Sequence, residues 1–179
     1  MSKKVLVIST SPRKGGNSDA LADQFIRGAQ EAGNQVEKVS LYEKTIGFCR
    51  GCLTCQSTQH CVIQDDANTI VQTMLSADVI VWATPIYYYG MCGQMKTMLD
   101  RSNPLFSADY QFRDIYLLAA AAENEKHTVQ GAVTGLQGWI DCFERARLAG
   151  TVFAGGVTSV GEIQGHSALT QAYQMGKHV

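Results

Sequence analysis

The chain has 179 residues, 45% hydrophobic and 17% charged, which is enough apolar material for a buried core and too much for a disordered segment. Lys and Arg number 15 against 16 Asp and Glu, and this net charge of −1 leaves non-specific nucleic-acid binding without its electrostatic drive. No apolar run approaches the roughly 20 residues that cross a bilayer, and Val5–Ile8 after Met1-Ser2-Lys3-Lys4 is too short for a signal-peptide core. The expected compartment is therefore the cytoplasm, with neither membrane nor nucleic acid as a partner.

Taken in chain order, the sequence alternates between two periods. Val5-Leu6-Val7-Ile8 is a continuous apolar run, suited to a strand covered on both faces of a parallel sheet. A polar loop, Ser9 to Ser18, follows. From Asn17 or Ser18 the spacing turns helical, with Leu21, Phe25, Ile26 and Ala29 on one face and Gly33 as a stop. Val36 to Leu41 reads as a second strand. A helix carrying Ile70, Val71, Met74 and Leu75 starts at Asp65-Asp66, and Val79 to Ala83 is a third strand, broken at Thr84-Pro85. Met91, Met95, Met98 and Leu99 mark a helix to about Arg101. Ile115 to Ala122 is a fourth apolar run, Thr128 to Ala149 an interrupted helical region, Thr151 to Ala154 a short fifth strand and Ser167 to Lys177 a last helix. Repeated strand–helix alternation predicts an α/β fold, a three-layer, doubly wound, five-stranded parallel sheet. It is read as one domain over residues 1–179, with a cysteine-rich insertion loop at 44–64.

In such sheets ligands bind beyond the carboxyl ends of the strands. The first such end has hydroxyls at Ser9, Thr10, Ser11 and Ser18, a forked donor at Arg13, and Gly15-Gly16 ahead of a helix that presents its positive end. Neither G-x-x-x-x-G-K-[ST] nor G-x-G-x-x-G occurs, so what remains suits a mononucleotide phosphate. The plainer alternative is a strand–helix turn capped by Asn17 or Ser18.

Ser11-Pro12-Arg13-Lys14-Gly15-Gly16-Asn17-Ser18 resembles the S-P-R-x-x-[GS]-N-[ST] loop of the flavodoxin-like NAD(P)H-dependent FMN reductase family. Thr84-Pro85-Ile86-Tyr87-Tyr88-Tyr89-Gly90, with Gly93-Gln94-Met95-Lys96 and Asp100-Arg101, is similar to that family's T-P-[IV]-Y-x-x-x-x-[GS]-x-[ML]-K…D-R segment. The resemblance runs from Lys3 to about Arg101 and is looser beyond. It implies a flavodoxin-like fold and an FMN site. Ser9, Ser11, Arg13, Gly16, Asn17 and Ser18 would hold the 5′-phosphate, and Pro85, Ile86, Tyr87, Tyr88, Tyr89 and Gly90 would lie along the ring system. It further implies NAD(P)H as hydride donor, flavin and nicotinamide nucleotides as partners, and a homodimer or homotetramer. The chemistry belongs to the flavin, so no catalytic side chain is named. A flavodoxin-type electron carrier serving a protein partner, and a non-redox zinc-stabilised domain, are the alternatives.

Six cysteines complete the reading. Cys49, Cys52, Cys55 and Cys61 spell C-x2-C-x2-C-x5-C, the crowded spacing of reduced cysteine chemistry rather than of a disulfide scaffold. The first three spacings suit a [4Fe–4S] cluster, and the same motif is found in the iron–sulfur flavoprotein branch of the resembling family. Thiols without metal, a redox disulfide and zinc remain open beside it. Cys92 is read as a packing residue, with a reactive thiol near the flavin as the alternative, and Cys142 as a core residue. Glu123 and Glu125 are read as an exposed helix start, with a border of the flavin as the alternative.

Overall fold

A computed structural model describes residues 2–179 and turns the first apolar run into a strand with two buried faces. The strands are β1 (Lys4–Ser9), β2 (Gln35–Ser40), β3 (Val79–Tyr87), β4 (Gly90–Met91), β5 (Asp114–Ala120) and β6 (Arg147–Ala154). Five of them are parallel, in the order β2-β1-β3-β5-β6. That is the 2-1-3-4-5 winding of flavodoxin-like sheets once β4, an antiparallel stub on β3, is set aside. The helices are α1 (Asn17–Glu31), the single turn α2 (Cys55–Thr58), α3 (Asp66–Ser76), α4 (Gly93–Arg101), α5 (Gln130–Ile140) and α6 (Ser167–Lys177).

Side chains alternate across a strand, so one run serves two cores. Val5 and Val7 pack with Leu21 and Phe25 of α1 and Ala168 and Ala172 of α6. Leu6 and Ile8 join Ile70 and Met74 of α3, Met95 and Met98 of α4, and Leu136 of α5 on the opposite face. The α1–α6 crossing is close because Gly28 and Gly176 face it. A Cβ on Gly28 would overlap the Tyr173 carbonyl, and one on Gly176 the Phe25 carbonyl.

Three local expectations are corrected. Pro85 does not break the third strand, which continues to Tyr87. Ala83 turns its carbonyl toward β1, accepting from the Thr10 N–H at 2.8 Å. Two residues on, Pro85 turns its donor-less nitrogen to the same side, where β1 has already ended. The helical region expected over 128–149 ends at Ile140. Residues 147–149 belong to β6, because Arg147 and Leu148 pair with Asp114 and Ile115 of β5 across a bulge. The two-residue β4 was not foreseen.

The segment over 44–64 has little regular structure of its own and is tied down by a buried ion pair at its end. Arg101, its side chain fully buried at the end of α4, donates from Nη1 to Asp65 Oδ2 at 2.6 Å and from Nη2 to Oδ1 at 2.9 Å. The same guanidinium donates to the Gly47 and Ile63 carbonyls, one at each end of the loop, at 2.8 and 3.1 Å. Asp65 in turn accepts from the Gly47 N–H at 2.8 Å and caps α3 through the Ala67 N–H at 3.1 Å. Burial works against the Asp65 carboxylate, but Arg101 and these two N–H donors outweigh it, and its pKa lies below the ordinary value.

Removing one member of a buried pair strands the other. Asp65→Asn is expected to lower the unfolding free energy by about 3 kcal/mol, read from urea titration. A carboxyl with a depressed folded pKa stabilises above the unfolded value, and that contribution is lost as pH falls through the folded one. The difference between wild type and variant should therefore shrink below about pH 4.

Candidate functional site

The loops leaving β1, β3, β5 and β6 meet at the carboxyl edge of the sheet and enclose a cavity of about 240 Å³. Ser11, Arg13, Asn17 and Ser18 line it from the first loop, Pro85, Ile86 and Tyr87 from the third strand. Ala120–Ala122 and Val157-Thr158, not named from sequence, supply the remaining wall. The small residues at the end of β5 leave room there, which the apolar run through Ala122 alone did not disclose. Ser9 lies outside the cavity, buried at the end of β1 between Ser40 and Ala83. Gly16 also stays outside. It is the N-cap of α1, and a Cβ on it would meet Ser11 Oγ at 2.5 Å.

This end of α1 is built to accept something. Gly16 offers no side-chain cap, so the first-turn N–H groups have no side-chain acceptor. Asn17 and Ser18 are 3% and 1% exposed, yet Asn17 Oδ1 and Ser18 Oγ have no hydrogen-bond partner. Unpaired buried polar atoms cost free energy, and an anion at the helix N-terminus would take up the Ser18 hydroxyl and the free N–H groups together. The far rim is already tethered. Arg13 Nη1 donates to the Thr158 carbonyl at 2.8 Å, and Asn17 Nδ2 donates to the Ser159 carbonyl at 3.0 Å. Glu162 accepts from the Thr158 and Ser159 N–H groups at 2.6 and 2.9 Å, which hold its carboxyl below the usual range and shape that turn.

A second cavity of about 220 Å³ adjoins the first along Ile86, Ala121 and Ala122, and adds Tyr88, Tyr89, Glu123 and Thr128. Tyr89 donates to Glu123 Oε2 at 3.1 Å, which pushes the phenol's pKa up, and its ring stacks on His127 at 5.7 Å. Glu123 is thus a cavity residue and not the start of a helix. Thr128 Oγ1 is buried and unpartnered in the same wall. Gly90 lines neither cavity; it pairs with Tyr87 in β4. Behind both, Cys92 caps α4 and joins two strand ends. Its Sγ donates to the Thr10 carbonyl at 3.2 Å, its N–H donates to Thr84 Oγ1 at 3.2 Å, and it is 1% exposed.

Cys49, Cys52, Cys55 and Cys61 line a separate cavity of about 460 Å³, with Leu53, Val62, Leu99, Phe106 and Trp139 among its apolar neighbours. Cys142, expected in the core, is exposed beyond α5 and lines this cavity as well. The Gly51 N–H points to Cys49 Sγ at 3.4 Å, and Asn103 Nδ2 to Cys55 Sγ at 3.0 Å. The Thr54 N–H and hydroxyl lower the Cys52 thiol's pKa. Among the described residues no three His, Cys, Asp or Glu side chains gather closely enough for one metal ion. Four thiols lining one cavity match the donor chemistry of a four-iron cluster, which binds each thiolate at a different corner.

A family model described as NADPH-dependent FMN reductase matches residues 3–139. An iron-sulfur flavoprotein of Archaeoglobus fulgidus is 37% identical over 101 residues, 56% of this chain and 46% of that protein. Another, of Methanocaldococcus jannaschii, is 38% identical over 102 residues, 57% and 53% of the respective chains. The chain spans about half the length of the curated relatives it matches. Among solved structures, an NAD(P)H:quinone oxidoreductase from Methanothermobacter marburgensis aligns over 99% of this chain and 96% of that one, with a TM-score of 0.77 at 15% identity, a likeness of fold.

The turn between the two cavities is strained. Tyr88 and Tyr89 have φ of 48° and 62°, the left-handed values that a two-residue hairpin turn demands and bulky side chains resist. The Tyr88 side chain is fully exposed and holds no contact in compensation. Tyr88→Gly is therefore expected to raise the stability of the free protein by about 1 kcal/mol, measured by thermal or urea unfolding. A loss of stability would show that the ring packs on something.

Proposed function

Because the chain belongs to the NADPH-dependent FMN reductase family, we propose that it is an oxidoreductase that holds FMN at the carboxyl edge of its sheet, draws electrons from NAD(P)H and passes them to a second acceptor. The observation that carries this reading is the cavity where the first loop and the third strand's end meet, with the buried, unpartnered Ser18 hydroxyl and the uncapped N–H groups at the head of α1. Bound flavin supplies the two-electron and one-electron chemistry.

The chain's own residues supply position. In this reading Ser11, Ser18 and the first-turn N–H groups of α1 donate to the phosphate, while Arg13 adds charge from the rim it shares with Thr158. Pro85, Ile86 and Tyr87 form one flank of the ring site, and Ala120–Ala122 the floor. Backbone donors in the turn after β3 would favour negative charge on the ring edge they face. Tyr88 and Tyr89 stand at the open side, where a nicotinamide donor has access. Cys49, Cys52, Cys55 and Cys61 are assigned to a [4Fe–4S] cluster, which supplies single-electron transfer when bound. Their shared cavity and the names of the iron-sulfur flavoprotein relatives support the assignment. A cytoplasmic location, where thiolates stay reduced, belongs to this reading. A homodimer or homotetramer closing the pocket with the exposed tyrosine turn is part of the same reading.

The absorption spectrum of protein purified without oxygen tests this. Flavin bands bleached promptly by NADH or NADPH support an enzyme, and bleaching only by dithionite or a protein donor would make it a carrier. Arg13→Ala should weaken FMN retention, and unchanged retention would remove Arg13 from the phosphate site. Cys52→Ala should eliminate iron and acid-labile sulfide while leaving flavin bound. Iron-free wild-type protein would end the cluster assignment without touching the flavin reading.

A further inference from the structure

The cysteine cavity contains a directed polar contact that thiol spacing does not explain. Asn103 follows α4 by two residues and opens a 3₁₀ turn with Pro104. Its Nδ2 lies 3.0 Å from Cys55 Sγ, and Cys55 is the one buried sulfur of the four. The amide is held in place from behind. Its neighbour Ser102, fully buried, donates to the Leu99 carbonyl at 2.7 Å and accepts from Trp139 Nε1 at 2.9 Å. Two residues upstream, Arg101 is locked to Asp65. The backbone around Asn103 is thus fixed by buried bonds on both sides, while its side chain points at a sulfur.

An amide N–H is a donor only, and the acceptor that rewards it here is an electron-rich sulfur. Reduction of an iron–sulfur centre adds negative charge that its ligand sulfurs share, and hydrogen bonds to those sulfurs favour the reduced form. Partial burial strengthens the effect, since little water competes for Cys55. The other donors differ in setting: the Gly51 N–H on Cys49 is longer at 3.4 Å, and both it and the Thr54 groups that face Cys52 lie on an exposed stretch.

We propose that Asn103 is a positioning residue for the cysteine site, holding the Cys55 sulfur in register with its side-chain amide and raising the reduction potential of the cluster bound there. The proposal rests on the cluster assignment made above and adds to it a residue outside the C-x2-C-x2-C-x5-C motif.

The test compares wild type with Asn103→Ala and the isosteric Asn103→Asp, which keeps the shape and replaces the donor by an acceptor. Iron, sulfide and FMN content are measured with the thermal midpoint, and the cluster potential is followed by EPR during a redox titration. Both variants should retain flavin at its wild-type potential, with the cluster shifted to a more negative midpoint, further in Asn103→Asp. Loss of iron from both variants at unchanged FMN content and thermal midpoint would equally support the positioning of Cys55. An unaltered cluster midpoint in iron-loaded variants would overturn the proposal. Loss of iron together with thermal stability would overturn it too, by making Asn103 a folding residue. A wild-type protein without iron or sulfide would overturn the cluster assignment and this inference together.

Discussion

Parallel pairing is the constraint from which the rest of this molecule follows. A strand that runs parallel to its neighbour cannot return by a tight turn, so every connection crosses a face as a helix and every carboxyl end arrives at the same edge. Here that rule brings the loops after β1, β3, β5 and β6 to one rim. β1 ends at Ser9 while β3 runs on to Tyr87. The mismatch opens a step beside the head of α1, and the step is the cavity.

The two chemical regions are joined by one short, rigid helix. At the start of α4, Cys92 binds the Thr10 carbonyl and Thr84, residues that border the cradle. At its other end Arg101 clamps the cysteine segment through Asp65, Gly47 and Ile63. Nine residues at about 1.5 Å each separate the two by roughly 13 Å along the helix axis. The cavity at the carboxyl edge depends on the sheet, whereas the cysteine segment depends on a buried ion pair. The two regions can therefore be perturbed separately, although they share a scaffold.

Conformational strain and unmet polar atoms recur at the carboxyl edge, and also in the cysteine segment, where Leu53 and Gln59 are left-handed, and in the core, where Trp82 Nε1 and Arg101 Nε have no partner. Two tyrosines occupy left-handed backbone at the tip beyond β3, and Asn17, Ser18 and Thr128 each carry a buried polar atom without a partner. Elsewhere the strands and helices follow their local preferences, with the two cores divided by simple alternation. Local rules broken side by side at one rim are what a binding site leaves in a fold.

The amino-acid sequence by itself determined the doubly wound plan, because buried parallel strands are continuous apolar runs and their crossover helices carry an unmistakable period. It also disclosed the loop chemistry of Ser11 to Ser18 and the four-thiol spacing, since both are written in adjacent residues. Tertiary structure alone decided that Ala120–Ala122 and Thr158 complete the cradle, that Arg101 finds Asp65, and that Asn103 and Cys142 stand with the clustered cysteines. Those meetings join residues tens of positions apart and leave no periodic trace. Strand-end mismatch and loop closure produce them only when the whole sheet is assembled, and for the same reason Pro85 sits inside a strand that local propensity would have stopped.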